Sequence, residues 1–469
     1  MAVGMTALAG GAPVLVLFAP GAAVALVALA RGRWHLLPGA AARAGLATAL
    51  GVALAGAHLV PFALFLPETA RAEGIDLREA AQWSMHPLRL LETVIPGLTP
   101  QTSDVVRRLV ERSFGAFGAP LHPSVHLGLP VVLLAFLARG RAALALGLAC
   151  ALWTVIALGG YTPLFAALRA LPLFGDWRYP EKGILLVAVV LPALAAAGLR
   201  AVPRRARTPA FAVAAALLAS TPLADGTVLF TLPRAAVDAP PDVARRVREA
   251  DAGRDEPGRF VRLRPAAPAG DALARARDAT ERMAAVRLGH IEGLQEDLPG
   301  RWGIEAFAAY GPIINRRLRP YVLESVVRDE EGEVVDLDLA RLADDACVAH
   351  ALLRDGRLVH REVPPRVRLV EGKGEVRPLA RAAARLDVVV DLETPGRLYV
   401  AEGHFTGWRA RLAGGQALPV EPARTAFMSV PVPAGRHRVV LEYRTPGLAA
   451  GAALSALGLV GLALLLRRR

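Results

Sequence analysis

Two short segments concentrate side chains able to bind a phosphate. Asp176-Trp177-Arg178-Tyr179-Pro180-Glu181-Lys182 places cations, anions and aromatic rings side by side at the entrance to an apolar run. There Arg178 would grip a phosphate through its fork of donors and Lys182 would act as a point charge, while Trp177 and Tyr179 would border a lipid headgroup. His86 and Arg89 offer the same chemistry earlier in the chain. A plainer reading pairs Asp176 with Arg178 and Glu181 with Lys182 and leaves the two rings as interfacial anchors. Lys182 and Lys373 are the only lysines among 55 basic residues, which suggests a preference for an ammonium at position 182. Four carboxylates, Glu68, Glu73, Asp76 and Asp176, are candidates for a general base, although the simpler reading of each is a solvated loop charge. No GxSxG, Walker or HExxH motif and no metal-spaced His/Cys cluster occurs in the sequence, so no cofactor or metal is expected.

The elements that must position these residues are apolar. The 469-residue chain is 54% hydrophobic and only 21% charged, with a mean hydropathy of +0.38, a membrane-protein composition. The net charge of +13 comes mainly from four segments free of acid: Arg31 to Arg43, Arg139 to Arg141, Arg200 to Arg207, and Arg467 to Arg469. The rest of the chain is nearly neutral, so the basicity reads as cytoplasmic loop charge, and nucleic acid is excluded as a partner. Seven apolar runs, roughly 12–30, 42–66, 125–138, 142–159, 183–199, 209–224 and 447–466, are candidate spans. With every arginine cluster inside, segments 67–124, 160–182 and 225–446 fall on the outer face.

The spacing around Pro87 predicts two short interfacial helices between Leu77 and Ile95, hinged at Ser84-Met85-His86-Pro87, the second ending at Pro96-Gly97. A helix is expected from Pro163 to Leu171. Segment 249–288 reads as helical, and from Arg385 the pattern turns to period two with Gly/Pro turns, predicting a β-sandwich over 385–446. Cys150 and Cys347 sit in different environments and are not expected to pair. The fold class is thus an α-helical polytopic membrane protein of about seven transmembrane helices. Residues 1–224 form the helical domain, 225–446 an extracytoplasmic α+β domain ending in a β-sandwich, and 447–469 a last helix and tail.

Several stretches resemble signature regions of the YfhO family of bacterial membrane proteins. They are Trp83 to Glu92 with Ile95-Pro96-Gly97, the Trp177 to Lys182 segment, and Gly403-His404-Phe405-Thr406-Gly407-Trp408-Arg409-Ala410 followed by Val432 to Val439, with a weaker match at Tyr310-Gly311-Pro312-Ile313. The resemblance implies a GT-C-type glycosyltransferase in the bacterial cytoplasmic membrane. Such an enzyme takes a sugar from a polyprenyl-phosphate donor and passes it, on the outer face, to a cell-envelope glycan or polymer acceptor. It also implies lipid-phosphate contacts at Arg178, Lys182, Tyr179, His86 and Arg89. In such enzymes the catalytic Asp lies in a first outer loop that this chain is expected to lack, and Ala413-Gly414-Gly415 stands where the family has Asp-Gly. A non-catalytic protein that handles lipid carriers or assembles the envelope is the alternative. A transporter is disfavoured because no span carries Asp, Glu or Lys well inside it.

Overall fold

The structure, a computed structural model, describes residues 12–95, 122, 125–171, 174–175, 177–224, 232, 234–262, 294, 298–307, 315–328, 334–353, 355–382 and 384–467. The N-terminal half is helical: α1 (Ala12–Ala30), α2 (Leu37–Leu54), α3 (Gly56–Phe65), α4 (Leu129–Phe136), α5 (Arg141–Ala157), α6 (Pro163–Arg169), α7 (Gly183–Leu199) and α8 (Arg204–Ala224). Among the described residues three segments are long and apolar enough to cross a membrane, namely Trp34–Leu54, Pro180–Leu199 and Leu448–Arg467. This corrects the expectation of about seven spans. The run 42–66 is divided at Ala55 into α2 and α3. The run 125–138 yields only the 8-residue α4, because Gly128, at φ 94°, delays the helix to Leu129.

Small residues let these helices approach closely. α7 crosses α4 and α5, and a Cβ on Gly198 would meet the Leu134 carbonyl oxygen at 1.7 Å. The largest side chain at the centre, Trp153, is 2% exposed and stacks on Phe18 of α1.

Beyond α8 come α9 (Asp242–Asp251), β1 (Arg259–Arg262), α10 (Leu318–Glu324), β2 (Val326–Arg328), β3 (Val334–Leu337), α11 (Leu339–Ala346), β4 (Val348–Leu352) and β5 (Leu358–His360). β4 is central, parallel to β1 and antiparallel to β5. The helical expectation for 249–288 is therefore corrected at β1; 263–288 lie outside the described residues, as do Pro96-Gly97, Asp176 and Tyr310-Gly311-Pro312-Ile313.

The strands β6 (Val367–Glu371), β7 (Gly374–Ala382), β8 (Arg385–Leu392), β9 (Gly396–Val400), β10 (Trp408–Leu412), β11 (Ala417–Leu418), β12 (Glu421–Ala423), β13 (Phe427–Val432) and β14 (Gly435–Tyr443) make two antiparallel sheets. Their orders are β11-β10-β14-β8-β7 and β12-β13-β9-β6. Val388, Val390, Leu398, Val400, Val430 and Leu441 fill the space between them. The sandwich begins at β6, earlier than the expected 385, because β7 (Gly-Glu-Val-Arg-Pro-Leu-Ala-Arg-Ala) is an edge strand without apolar alternation.

The chain returns through α12 (Leu448–Arg467), which packs on α2 and α3 at their break. The break leaves backbone groups without helical partners. Ser455 of α12 repairs it, its Oγ accepting from the Ala57 N–H (2.9 Å) and donating to the Leu54 carbonyl (3.0 Å). In a lipid-exposed helix no water could do this.

Ser455→Ala should therefore cost about 1 to 2 kcal/mol, the penalty of stranding a buried polar group, read as a lower unfolding midpoint in detergent; an unchanged midpoint would show that the repair adds nothing. A pH effect follows from β4 and β5. His350, wholly buried, sits opposite His360, with 2.8 Å between their Nδ1 atoms, and its Nε2 lies 2.9 Å from Asp251. Burial first, then His350, Arg246 and Arg254, lower the His360 pKa, against the opposing pull of Asp251. The unfolded chain, with His near 6.5, then binds more protons than the folded one, so stability present above that pH is lost as pH falls through it. Replacing His360 with Gln should flatten part of the decline that sets in as pH falls below about 6.5, measured as unfolding midpoints of both proteins.

Candidate lipid-phosphate site

The described part of the site is built around Arg89. Its side chain is 2% exposed, and both carboxylates that hold it, Glu92 and Glu181, are fully buried. Arg89 Nε donates to Glu92 Oε2 at 2.8 Å, Nη1 to Glu181 Oε1, and Nη2 to the His122 carbonyl at 2.9 Å. Glu92 Oε1 also accepts from the Val125 N–H at 2.7 Å, and His122 Nδ1 lies 3.6 Å from Glu181. One cation and its carboxylates thus tie the helical turn Arg89–Glu92, the backbone of His122 and Val125, and the turn Pro180–Lys182 into one unit.

The Trp83–Tyr179 pair rests on that unit. Glu181 N–H donates to the Trp83 carbonyl and Tyr179 N–H to the Ala80 carbonyl, both at 3.3 Å. Trp83 (φ 58°) and Tyr179 (φ 66°) both adopt left-handed backbone conformations, which for bulky residues persist only when the surroundings enforce them. Their rings meet at 4.2 Å between centroids. The Tyr179 ring also receives two cations, with the Arg178 guanidinium at 4.7 Å and Lys182 Nζ at 5.0 Å from its centroid. Arg178 reaches Glu79 at 3.4 Å, while its Nε is buried without a hydrogen-bond partner among the described residues. The indole Nε1 of Trp177, a ring packed against Phe165 and Phe174, is likewise buried and unpartnered.

The structure thus brings Arg178, Tyr179 and Lys182 together and separates the other two sequence candidates from them in role. Arg89 is underneath, saturated by carboxylates. His86 turns its ring edge to Tyr161 at 5.0 Å and accepts from the Leu88 N–H through Nδ1, and burial lowers its pKa, so it is a neutral imidazole at neutral pH. The expected hinge appears as Ser84, whose Oγ accepts from the Gly160 N–H (2.9 Å) and donates to the Ala81 carbonyl (2.6 Å). It separates the one-turn helices Leu77–Ala80 and Arg89–Glu92.

Of the two proposed neutralising pairs, that of Glu181 with Lys182 gives way to the buried contact of Glu181 with Arg89, while Asp176, the expected partner of Arg178, lies outside the described residues. Sequence reasoning missed Glu79, Glu92 and the Arg89–Glu181 pair. The i,i+3 spacing of Arg89 and Glu92 was a local signal, whereas Glu181 is 92 positions away and gave none. Of the candidate bases, Glu68 accepts from Thr406 N–H (3.0 Å) and Oγ1, and Asp76 caps the turn at Glu79 N–H (2.6 Å). The Glu73 side chain is not among the described ones.

Arg89→Met should be the most destabilising single change in this region. It leaves two buried carboxylates facing each other, at a cost of about 3–5 kcal/mol; the triple replacement of Arg89, Glu92 and Glu181 by Met, Leu and Leu should recover much of it, both read from unfolding midpoints. Equal midpoints for Arg89→Met and the parent would refute the role given to Arg89.

Comparison with known protein families, with curated proteins and with solved structures finds no match to this chain.

Proposed function

We propose that this protein binds the phosphate of a polyprenyl-phosphate carrier at Arg178, Lys182 and Tyr179, as part of a GT-C-type, YfhO-like membrane glycosyltransferase system. The proposed product is a cell-envelope glycan or polymer bearing the transferred sugar. The observation that carries the reading is the Tyr179 ring, approached by both the Arg178 and Lys182 cations and packed at a tilt against Trp83, at the start of the membrane-length segment Pro180–Leu199. Cations bordered by aromatic rings at the end of a span suit an anionic headgroup whose tail follows the helix into lipid.

In the transfer, an acceptor hydroxyl attacks the anomeric carbon, the bond from that carbon to the phosphate oxygen breaks, and polyprenyl phosphate leaves while a base takes the hydroxyl proton. Arg178 and Lys182 would stabilise the charge gathering on the leaving phosphate. On this reading the arginine clusters face the cytoplasm and the helix Arg204–Ala224 crosses as well, which would leave both the mouth and the β-rich region on the extracytoplasmic side of a bacterial cytoplasmic membrane. One observation favours the second reading, a non-catalytic lipid-carrier protein. Near the mouth Glu68, Glu79, Glu92 and Glu181 are each engaged by Thr406, Arg178 or Arg89, so none of them stands open as a base.

The full chain in nanodiscs should bind undecaprenyl phosphate, and the Arg178→Gln, Lys182→Gln variant should bind it at least about tenfold more weakly, a loss of about 1.4 kcal/mol, with an unchanged unfolding midpoint. Equal binding by both proteins would overturn the assignment. Transfer of sugar from the glycosylated carrier separates the enzyme from the carrier-binding protein.

A further inference from the structure

Away from the helical mouth, the β-rich region holds an open cleft of about 770 Å³ between the loop after α9 and the β7 side of the sandwich. That volume lies within the range that encloses a ligand of drug size, and the junction of two packed layers is a common place for one. Its two walls differ in chemistry. The sandwich side presents Leu379, 56% exposed, and an edge of Trp408, whose ring is mostly buried in the sandwich core; the opposite side presents Asp255 and Glu256.

Arg381 and Glu402 also line it, 3.0 Å apart, and are held from below. Glu305 receives Arg366 at 2.7 Å, Arg259 at 2.9 Å and Arg381 at 3.0 Å, and Arg259 also reaches Glu402 at 2.9 Å. Although burial pushes the Glu305 pKa up, the charges of Arg259 and Arg366 outweigh it and bring it down to about 2, so the network stays ionised. Side chains fixed in this way meet a ligand without first losing rotamer freedom.

We propose that this cleft is a binding site for a neutral oligosaccharide. A sugar ring has an apolar face of C–H groups and a rim of hydroxyls, which match the Leu379/Trp408 wall and the carboxylates facing it. Asp255 and Glu256 accept from hydroxyls and Arg381 supplies donors; with Glu305 and Glu402 neutralised by Arg259, Arg366 and Arg381, the carboxylates of Asp255 and Glu256 leave the cleft with an acidic wall that disfavours phosphorylated or other anionic polymers. On the reading of a glycosyltransferase system, on which this part rests, the cleft holds the glycan acceptor, while the mouth at Arg178 and Lys182 holds the donor.

The test is calorimetric titration of the full chain in nanodiscs with maltotetraose and with chitotetraose, using spermine as a cationic and glycerol phosphate oligomer as an anionic comparison. Saturable binding of at least one tetrasaccharide is expected, weakened tenfold or more in the Asp255→Asn, Glu256→Gln variant and abolished by Leu379→Arg, which fills the cleft from an exposed edge position. Undecaprenyl phosphate binding should be unchanged in both variants, and tetrasaccharide binding should survive Arg178→Gln, Lys182→Gln. The two sites therefore fail independently. Absence of saturable tetrasaccharide binding, binding indifferent to both cleft variants, or preferential binding of spermine or of the anionic oligomer overturns the proposal.

Discussion

A guanidinium cut off from water must keep its counter-charges, and in this protein that requirement fixes the geometry of the helical mouth. Arg89 and its partners Glu92 and Glu181 are almost fully excluded from solvent. An uncompensated charge there would cost several kcal/mol, so the three stretches that carry the charges and their backbone partners cannot separate independently. Replacing all three by apolar residues could be as stable or more so, which means that the ionic solution is not explained by stability alone. What the ion knot adds is direction. Its hydrogen bonds set the register of Pro180–Lys182 against Trp83, and with it the position of Tyr179 within reach of two cations.

Much of this was legible in the sequence, and the gaps have physical causes. Arginine-bounded apolar runs located the helices, and period-two runs such as Leu386 to Leu392 and Met428 to Val432 located strands, because burying one face leaves a periodic record. β7 leaves none: as an edge strand interrupted by Pro378 and a register shift before Ala380, it has no second buried face to write one. The chemistry-bearing segment from Trp177 to Lys182 was conspicuous by composition, yet the partner of Glu181 was not, since a buried pair formed across the fold has no sequence spacing. Adjacent charges such as Glu181 and Lys182 invite a local pairing that geometry is free to refuse.

The span count shows the same limit. Hydropathy records how much apolar surface a segment has but not where its helix stops. Gly128 and the break at Ala55 shorten two runs that composition alone would carry across a bilayer. At Ala55 the remedy comes from Ser455, about four hundred residues later, a polar group inside an otherwise apolar α12. Read alone, that serine is merely tolerated by a span. In place, it satisfies both a donor and an acceptor that lipid could not.

The segment Gly403 to Ala410 explains how the helical half and the β-rich half can act together. Phe405 packs on Phe65 at the end of α3, with ring centroids 5.5 Å apart, and Thr406 is clamped by Glu68. Thr69 and Asn315 form a β-bridge beside the clamp, and Asn315 Nδ2 donates to the His404 carbonyl at 3.0 Å. Position 407 must be glycine, because a Cβ there would meet the Tyr443 ring at 2.4 Å. One residue on, Trp408 enters β10 and walls the cleft. A single short stretch therefore joins the helical domain at one end and shapes the cleft at the other, so the clamp fixes how the cleft is presented to the helices. Loosening the Glu68–Thr406 contact would leave both proposed sites intact yet free their relative placement. In a transfer reaction, where the reacting atoms must meet at about 3–3.5 Å, that loss would fall on turnover and not on the binding of either partner.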